Sequence, residues 1–153
     1  MDKFVETADL CLGWFWGPDY FFSNLDGVID VTVGYSGGVT EWPTYRSIKD
    51  HTEAVRIVFD RSKLTYEQIL KLFFDQQGGP PTYPGYSRQY RSAILVHNDE
   101  QKSIANKLIQ SLTQAKGKKI YTDVEDSSST EFYRAEEYHQ KYMEKQSSGR
   151  RRF

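Results

Sequence analysis

The stretch that decides the fold is Val5-Glu6-Thr7-Ala8-Asp9-Leu10-Cys11-Leu12-Gly13-Trp14-Phe15-Trp16-Gly17-Pro18. Its first part, residues 5–12, is rich in apolar side chains and predicts a β-strand. Gly13 ends that strand, and Pro18 favours the first turn of a helix, where a backbone N–H is not needed. We therefore predict a strand-to-helix turn between them. The first N–H groups of a helix are unpaired and favour a thiolate at such a turn.

Trp14 occupies the middle of this turn. A cysteine there would have its pKa drawn down from about 8.5 toward roughly 3.5–7.5. An indole has one polar atom, a donor, and cannot act as a nucleophile. The single cysteine of the chain, Cys11, lies three residues earlier inside the predicted strand. Its simplest role is that of a small buried hydrophobic residue.

Alternation and capping patterns predict the remaining elements. Strands are predicted at residues 28–35, 55–59, 91–97 and 119–124. Capping pairs predict helices at 65–75 and from 98 onward, apolar spacing favours a last helix over 132–145, and the breaker-rich residues 76–87 form a loop. The order β-α-β-β-α-β-α-β-α indicates an α+β fold, in which helices pack against a mixed sheet as a sandwich.

Composition narrows the class of protein. With 153 residues, 38% of them hydrophobic, the chain is long enough for one domain, which we place at residues 1–146. Residues 147–153, ending Arg150-Arg151-Arg152, predict a disordered basic tail. A formal charge of −1 gives no field that attracts nucleic acid or a membrane surface. We expect a monomeric cytoplasmic protein, since the chain has no long apolar stretch and no secretory signal.

Three histidines stand at positions 51, 97 and 139 and show no metal-ligand spacing. We therefore expect neither a metal nor a cofactor. A lone cysteine also rules out an internal disulfide.

Six motifs follow one another along nearly the whole chain. They are residues 13–18 (GWFWGP), 34–38 (GYSGG), 43–45 (PTY), 51–53 (HTE), 89–93 (QYRSA) and 135–140 (AEEYHQ). In sequence and order they resemble the peptide-methionine (S)-S-oxide reductases of the A type. The resemblance implies the ferredoxin-like α+β sandwich of that family and an oxidoreductase that repairs oxidised methionine, with no cofactor.

The family has Gly-Cys-Phe-Trp-Gly at the turn, or selenocysteine in place of cysteine, where this chain has Trp14. The resemblance implies that this residue attacks the sulfoxide sulfur. It is then left as a sulfenic or selenenic acid, which a second thiol or thioredoxin reduces, and the oxygen leaves as water. Cys11 is then a possible resolving thiol, through a Cys-x-x-Sec pair.

The resemblance also assigns the rest of the pocket. It implies that Phe15 and Trp16 hold the methyl group of the substrate and that Glu53 protonates the sulfoxide oxygen. Tyr45 and Tyr90 correspond to phenols that donate hydrogen bonds to that oxygen. The histidines at 51 and 139 are expected to be structural, because this chemistry does not require imidazole. The chain departs from the family pattern at Gly85, where an acidic residue is common, and at residues 77–79, where His-Asp-Pro is usual.

Three explanations of Trp14 stay open at this point. In the first, codon 14 is UGA, the selenocysteine codon, and has been written as tryptophan. In the second, the protein is a non-catalytic binder of oxidised methionine. In the third, the scaffold serves another reaction. In each case the chain as written is predicted to be inactive in sulfoxide reduction, because position 14 offers no nucleophile.

Overall fold

Strand β1 (Val5–Cys11) lies inside a mixed sheet and pairs on both of its edges. The computed structural model describes residues 4–13, 15–85 and 87–145. Trp14 and the predicted tail over 147–153 lie outside the described residues, so both assignments stay predictions. The other strands are β2 (Val28–Ser36), β3 (Thr52–Asp60), β4 (Ala93–Val96), β5 (Asp123–Asp126) and β6 (Tyr133–Arg134). The helices are α1 (Trp16–Ser23), α2 (Tyr66–Gln76) and α3 (Asp99–Lys116).

The strand order in the described residues is β5-β4-β1-β3-β2-β6. The pair β4–β5 is parallel and the other pairs are antiparallel, which confirms the predicted mixed sheet. The predicted capping pairs are also confirmed. Thr65 and Gln68 bond each other reciprocally at the start of α2, and the Asn98 side chain accepts the Gln101 N–H at 2.8 Å before α3.

The two faces of β1 contact different groups, because neighbouring side chains of a strand point to opposite sides. Ala8 and Leu10 belong to the main core, together with residues of all the helices named above, such as Phe22, Phe73 and Leu108. On the other face Cys11 packs in a small cluster with Ala54, Ala93 and Leu95, and Phe132 lies against it. The functional residues described below lie on the main-core side.

The opposite face also carries a buried charge. Asp9 is 1% exposed and accepts hydrogen bonds from Nε and Nη2 of Arg56 at 2.9 and 2.8 Å. His97 Nε2 lies 2.9 Å from the same carboxylate. Burial would raise the pKa of Asp9, but the bonds from Arg56 and His97 outweigh it and hold this pKa below its ordinary value.

The predicted helix over 132–145 is wrong for most of its length. Tyr133 and Arg134 form β6 at the edge of the sheet, residues 137–139 form a short 3₁₀ turn, and α-helical geometry is confined to 142–145. The cause is tertiary, since the amide of Gln140 binds the backbone of Val33 through both its oxygen and its nitrogen. These bonds hold the segment extended beside β2, against its helical spacing.

Two smaller predictions also need correction. The strand predicted at 119–124 begins later, at Asp123, because the parallel register with β4 starts at the Ala93–Asp123 pair. The strand predicted at 91–97 is shorter and spans Ala93–Val96. In the part of the chain that the structure describes, no helix has the length and apolarity that crossing a membrane would require.

Replacing Asp9 with Asn should lower the free energy of unfolding by about 3 kcal/mol, because Arg56 would lose its buried carboxylate partner. Since the folded-state pKa of Asp9 is depressed, its contribution is present above the unfolded pKa and is lost as the pH falls through the folded one. Urea unfolding at neutral and acidic pH measures both effects. Asp30, exposed on β2, supplies the matched control, and Asp30→Asn should change stability by less than about 0.5 kcal/mol. Equal effects of the two substitutions would contradict this account.

Candidate active site

The turn between β1 and α1 is held against the 3₁₀ turn at Arg88–Tyr90. A Cβ placed on Gly13 would lie 3.1 Å from the carbonyl oxygen of Tyr90, so a larger residue here would push the two backbone segments apart by a few tenths of an ångström. Phe15 precedes the first residue of α1, and its carbonyl accepts the Asp19 N–H at 2.9 Å. The predicted strand-to-helix turn is thereby confirmed on both sides of position 14.

Glu53 lies in β3 beside this turn, and its environment is apolar. The residue is 2% exposed, and it faces the main core because its register partner Tyr35 does so. Its carboxyl accepts a hydrogen bond from Gln89 Nε2 at 2.8 Å and another from the backbone N–H of Phe15. Burial nevertheless raises the pKa of Glu53 above its ordinary value. The carboxyl group therefore keeps its proton, and can donate it, up to a higher pH than an ordinary glutamic acid.

An aromatic wall stands next to Glu53. Phe15 is 1% exposed, and its ring centroid lies 5.3 Å from that of His139. Trp16 is partly buried, donates its indole N–H to His139 Nδ1 at 3.0 Å and stacks on Tyr142 at 3.9 Å between centroids. The indole is therefore fixed on one edge by a hydrogen bond and on one face by a ring.

Tyr45 approaches the same wall from the loop over residues 37–51. Its ring centroid lies 4.7 Å from that of His139, and 36% of the residue is exposed. The carboxylate of Glu136 ties the loop to the sheet by accepting the Tyr35 hydroxyl at 2.8 Å and the Tyr45 N–H at 3.1 Å. Burial opposes ionisation of Glu136, but its hydrogen bonds keep the pKa below the ordinary value.

Tyr90 is half-buried and lies against Gly13 through its backbone and Cβ. The next residue, Arg91, anchors this segment: its guanidinium donates to Thr52 Oγ1 at 2.8 Å and to both carboxylate oxygens of Glu125. The structure thus brings Phe15, Trp16 and Tyr45 together around His139. Glu53 and Tyr90 both lie against the turn, Glu53 at Phe15 and Tyr90 at Gly13.

Cys11 does not join this group. It is 0% exposed and points to the opposite face of the sheet, where it pairs in register with Ala54 and Ala93. Burial raises the pKa of its thiol to about 12. A resolving role for Cys11 would therefore require β1 to open.

Three site residues were not assigned from the sequence: Gln89, Glu136 and His139. All three lie in motifs 89–93 and 135–140, so the motifs contained the signal. Their contacts were hidden because the second motif was expected to be helical. His139, expected to be structural, is 1% exposed and contacts the rings of Phe15, Trp16 and Tyr45.

Residues 6–153 match the family model described as PMSR, peptide methionine sulfoxide reductase. The chain is similar to the peptide methionine sulfoxide reductase MsrA of Natronomonas pharaonis, with 41% identity over 92% of this chain and 83% of the relative. It is also similar to the reduced form of Mxr1 from Saccharomyces cerevisiae, with a TM-score of 0.81, 27% identity and coverage of 95% and 88% of the two chains. Mxr1 has also been solved in complex with Trx2; this match has a TM-score of 0.62, 26% identity and coverage of 92% and 87%.

The bond from Trp16 to His139 should depend on pH. Burial lowers the pKa of His139, although Glu136 acts in the opposite direction. Neutral imidazole accepts at Nδ1 and imidazolium does not, so the bond should persist above the ordinary value of about 6.5 and be lost as the pH falls through the lower folded-state pKa.

Hydrogen exchange of the Trp16 indole N–H, followed by NMR, measures this loss. His139→Asn supplies a control, since its amide oxygen accepts without titrating and its exchange should show no such transition. A wild-type indole whose protection is constant from neutral to acidic pH, in folded protein, would exclude the arrangement described.

Proposed function

Because the chain belongs to the peptide methionine sulfoxide reductase family, we propose that its pocket binds methionine-(S)-sulfoxide and that the protein reduces it when position 14 carries a thiol or selenol. The observation that carries this proposal is the buried carboxyl of Glu53, with its raised pKa, beside the Phe15 N–H of the turn. A sulfoxide needs a proton on its oxygen as its sulfur is attacked from the other side.

The pocket has an apolar and a polar side that match the two ends of this substrate. A methyl sulfoxide presents a polarisable S–CH₃ group and one strongly accepting oxygen. Phe15 and Trp16 offer ring faces and edges to the methyl group, which favourable sulfur–aromatic contacts require. Glu53, Tyr45 and Tyr90 offer hydrogen-bond donors to the oxygen, provided that Glu53 is protonated.

The chemistry follows from this placement. A thiolate or selenolate at position 14 forms a bond to the sulfoxide sulfur, and Glu53 transfers its proton to the oxygen. The oxygen then passes to the attacking atom, which leaves methionine and a sulfenic or selenenic acid. Two external thiols reduce that acid, forming a disulfide and releasing the oxygen as water. Two electrons have then moved from the thiols to the substrate.

We propose a thioredoxin-like protein as the thiol donor. The complex of the yeast relative Mxr1 with Trx2 supports this choice. Cys11 lies on the far face of the sheet with a raised pKa, which favours direct attack by the reductant on residue 14 over a relay through Cys11. The relay remains the alternative that opening of β1 would permit.

Trp14 offers no nucleophile for the first step, so the chain as written should show no turnover. A UGA codon at position 14 would restore a selenol and the complete reaction. A second function, a non-catalytic binder of oxidised methionine, is favoured by the intact hydrogen bond between Glu53 and Gln89. In the third reading, the scaffold serves another reaction.

Titration calorimetry with a methionine-(S)-sulfoxide peptide tests the binding function. The absence of heat and of competition would reject that function.

Trp14→Cys should restore reduction, because only the nucleophile is missing. Without reductant, the variant should release about one methionine per protein, and with dithiothreitol it should turn over repeatedly. Trp14→Ser removes the indole without adding a thiol and is the matched control. Like the unaltered Trp14 protein, it should release methionine only at the background rate. Adding Cys11→Ala should leave the dithiothreitol-dependent rate unchanged.

Enzymatic rates from the parent Trp14 protein would contradict the need for a nucleophile at this position. A folded but inert Trp14→Cys protein would favour the rerouted scaffold instead. Sequencing codon 14 as UGG removes the selenocysteine reading and leaves the other two.

In the Trp14→Cys protein, Glu53→Gln should lower the rate of methionine release about 100-fold, the ordinary size of a lost general acid. The pKa of Glu53 is raised, so its protonated form persists to higher pH than that of an ordinary glutamic acid. The single-turnover rate should fall as the pH rises through that pKa, and the glutamine variant should lack this decline. Glu67→Gln, on the exposed side of α2, should leave the profile unchanged. If the glutamine variant shows the same pH dependence as the Trp14→Cys protein, Glu53 is not the general acid.

A further inference from the structure

The loop over residues 37–51 is rigid at its base. It joins β2 to β3, whose last pair is Ser36–Thr52. Asp50 accepts the N–H groups of Val39 and Thr40 at 2.8 and 3.3 Å, and these bonds hold its pKa well below the ordinary range. His51 is fully buried; it accepts the Gly38 N–H at 3.2 Å and lies 2.6 Å from the carbonyl of Thr40. The side chains farther along the loop therefore project from a fixed support.

Two of those side chains are apolar and project into solvent. Val39 is 82% exposed and Trp42 is 78% exposed. The Trp42 ring meets Tyr133 of β6 edge-on, with 5.5 Å between centroids. Trp42 also has a φ of +52°, in the left-handed region that bulky residues rarely adopt. Neither exposure nor this backbone geometry favours tryptophan in the free protein. An exposed tryptophan in this backbone region points to a role in binding.

We propose that Val39, Trp42 and Tyr133, here called the Trp42 strip, bind an apolar side chain next to the methionine sulfoxide in a polypeptide substrate. This inference rests on the proposed function, since it places the strip beside the pocket that receives the sulfoxide.

The strip and the pocket lie on the same side of the sheet. Tyr133 pairs in register with Tyr35, and Tyr35 pairs with Glu53, so the three side chains share one face. The neighbour of Tyr133, Phe132, packs on the opposite face with Cys11. A chain that enters the pocket therefore meets the strip without passing an edge of the sheet.

The distance also fits. Tyr45 of the pocket and Trp42 of the strip are three residues apart, so their Cα atoms are separated by at most about 11 Å. An extended peptide advances about 3.3–3.6 Å per residue, so a side chain two or three positions from the sulfoxide reaches the strip. The free amino acid has no atoms that extend so far.

Charge beside the strip favours neutral side chains over acidic ones. The Tyr133 hydroxyl donates to the Glu131 carboxylate, and Glu41 acts electrostatically on the same phenol, so both carboxylates lie close to this end of the strip. A substrate aspartate placed there would meet like charges. We therefore expect leucine to be favoured over aspartate at the flanking positions.

The test compares a peptide with a single-residue substrate in the Trp14→Cys protein with dithiothreitol. The probes are a peptide with leucines two and three positions on both sides of methionine-(S)-sulfoxide, its aspartate counterpart, and N-acetyl-methionine-(S)-sulfoxide methylamide. Trp42→Gly should lower kcat/KM for the leucine peptide about tenfold and leave that of the methylamide within about twofold. Glycine suits a positive φ, so the variant should keep the Tm of its parent.

Ile29→Gly is the matched control, because Ile29 is 57% exposed near the other end of β2. The substitution should change kcat/KM for neither the leucine peptide nor the methylamide. Equal losses for peptide and methylamide on Trp42→Gly, or no loss for the peptide, would overturn the inference. So would a loss seen only when thioredoxin replaces dithiothreitol, which would assign the strip to the reductant. Failure of the methylamide to bind or to react in folded protein would instead reject the proposed function, and the inference with it.

Discussion

One buried amide fastens the last described part of the chain to the sheet. The Gln140 side chain is 4% exposed and bonds both backbone groups of Val33 and the carbonyl of Ala135. Lys141 continues this attachment by donating its backbone N–H to the buried Asp19 carboxylate at 2.7 Å. Between these anchors and β6, residues 136–139 have little freedom. His139 is consequently placed where Trp16 needs an acceptor.

The sheet itself separates two kinds of electrostatic environment. On one face Asp9 stays ionised, because Arg56 and His97 compensate its burial. On the other face Glu53 accepts hydrogen bonds from Gln89 and from the backbone N–H of Phe15, which do not outweigh its burial, so its pKa rises. Two carboxyl groups on neighbouring strands of one sheet therefore favour opposite protonation states. The difference comes from the alternation of side chains along neighbouring strands.

Local patterns were sufficient for much of this fold. The strand-to-helix turn, the capped starts of α2 and α3 and the alternation of β2 and β3 all depend on residues close together in sequence, and all were predicted. The segment after residue 131 was not, because its conformation depends on bonds from Gln140 and Glu136 to strand β2, about a hundred residues earlier. The motifs contain all of these aromatic residues, yet only the fold could show that His139 contacts Phe15, Trp16 and Tyr45. The face on which Cys11 lies likewise follows from register, which its spacing from position 14 does not reveal.

The hydrogen bond from Trp16 to His139 joins residues 123 positions apart. During synthesis the turn and the central strands leave the ribosome long before the segment that supplies His139 and Tyr142. A nascent chain that has not reached this segment can assemble most of the sheet, but its indole has neither the acceptor nor the stacking partner. The packing around Trp16 can therefore be completed only after the segment that supplies His139 and Tyr142 has been synthesised.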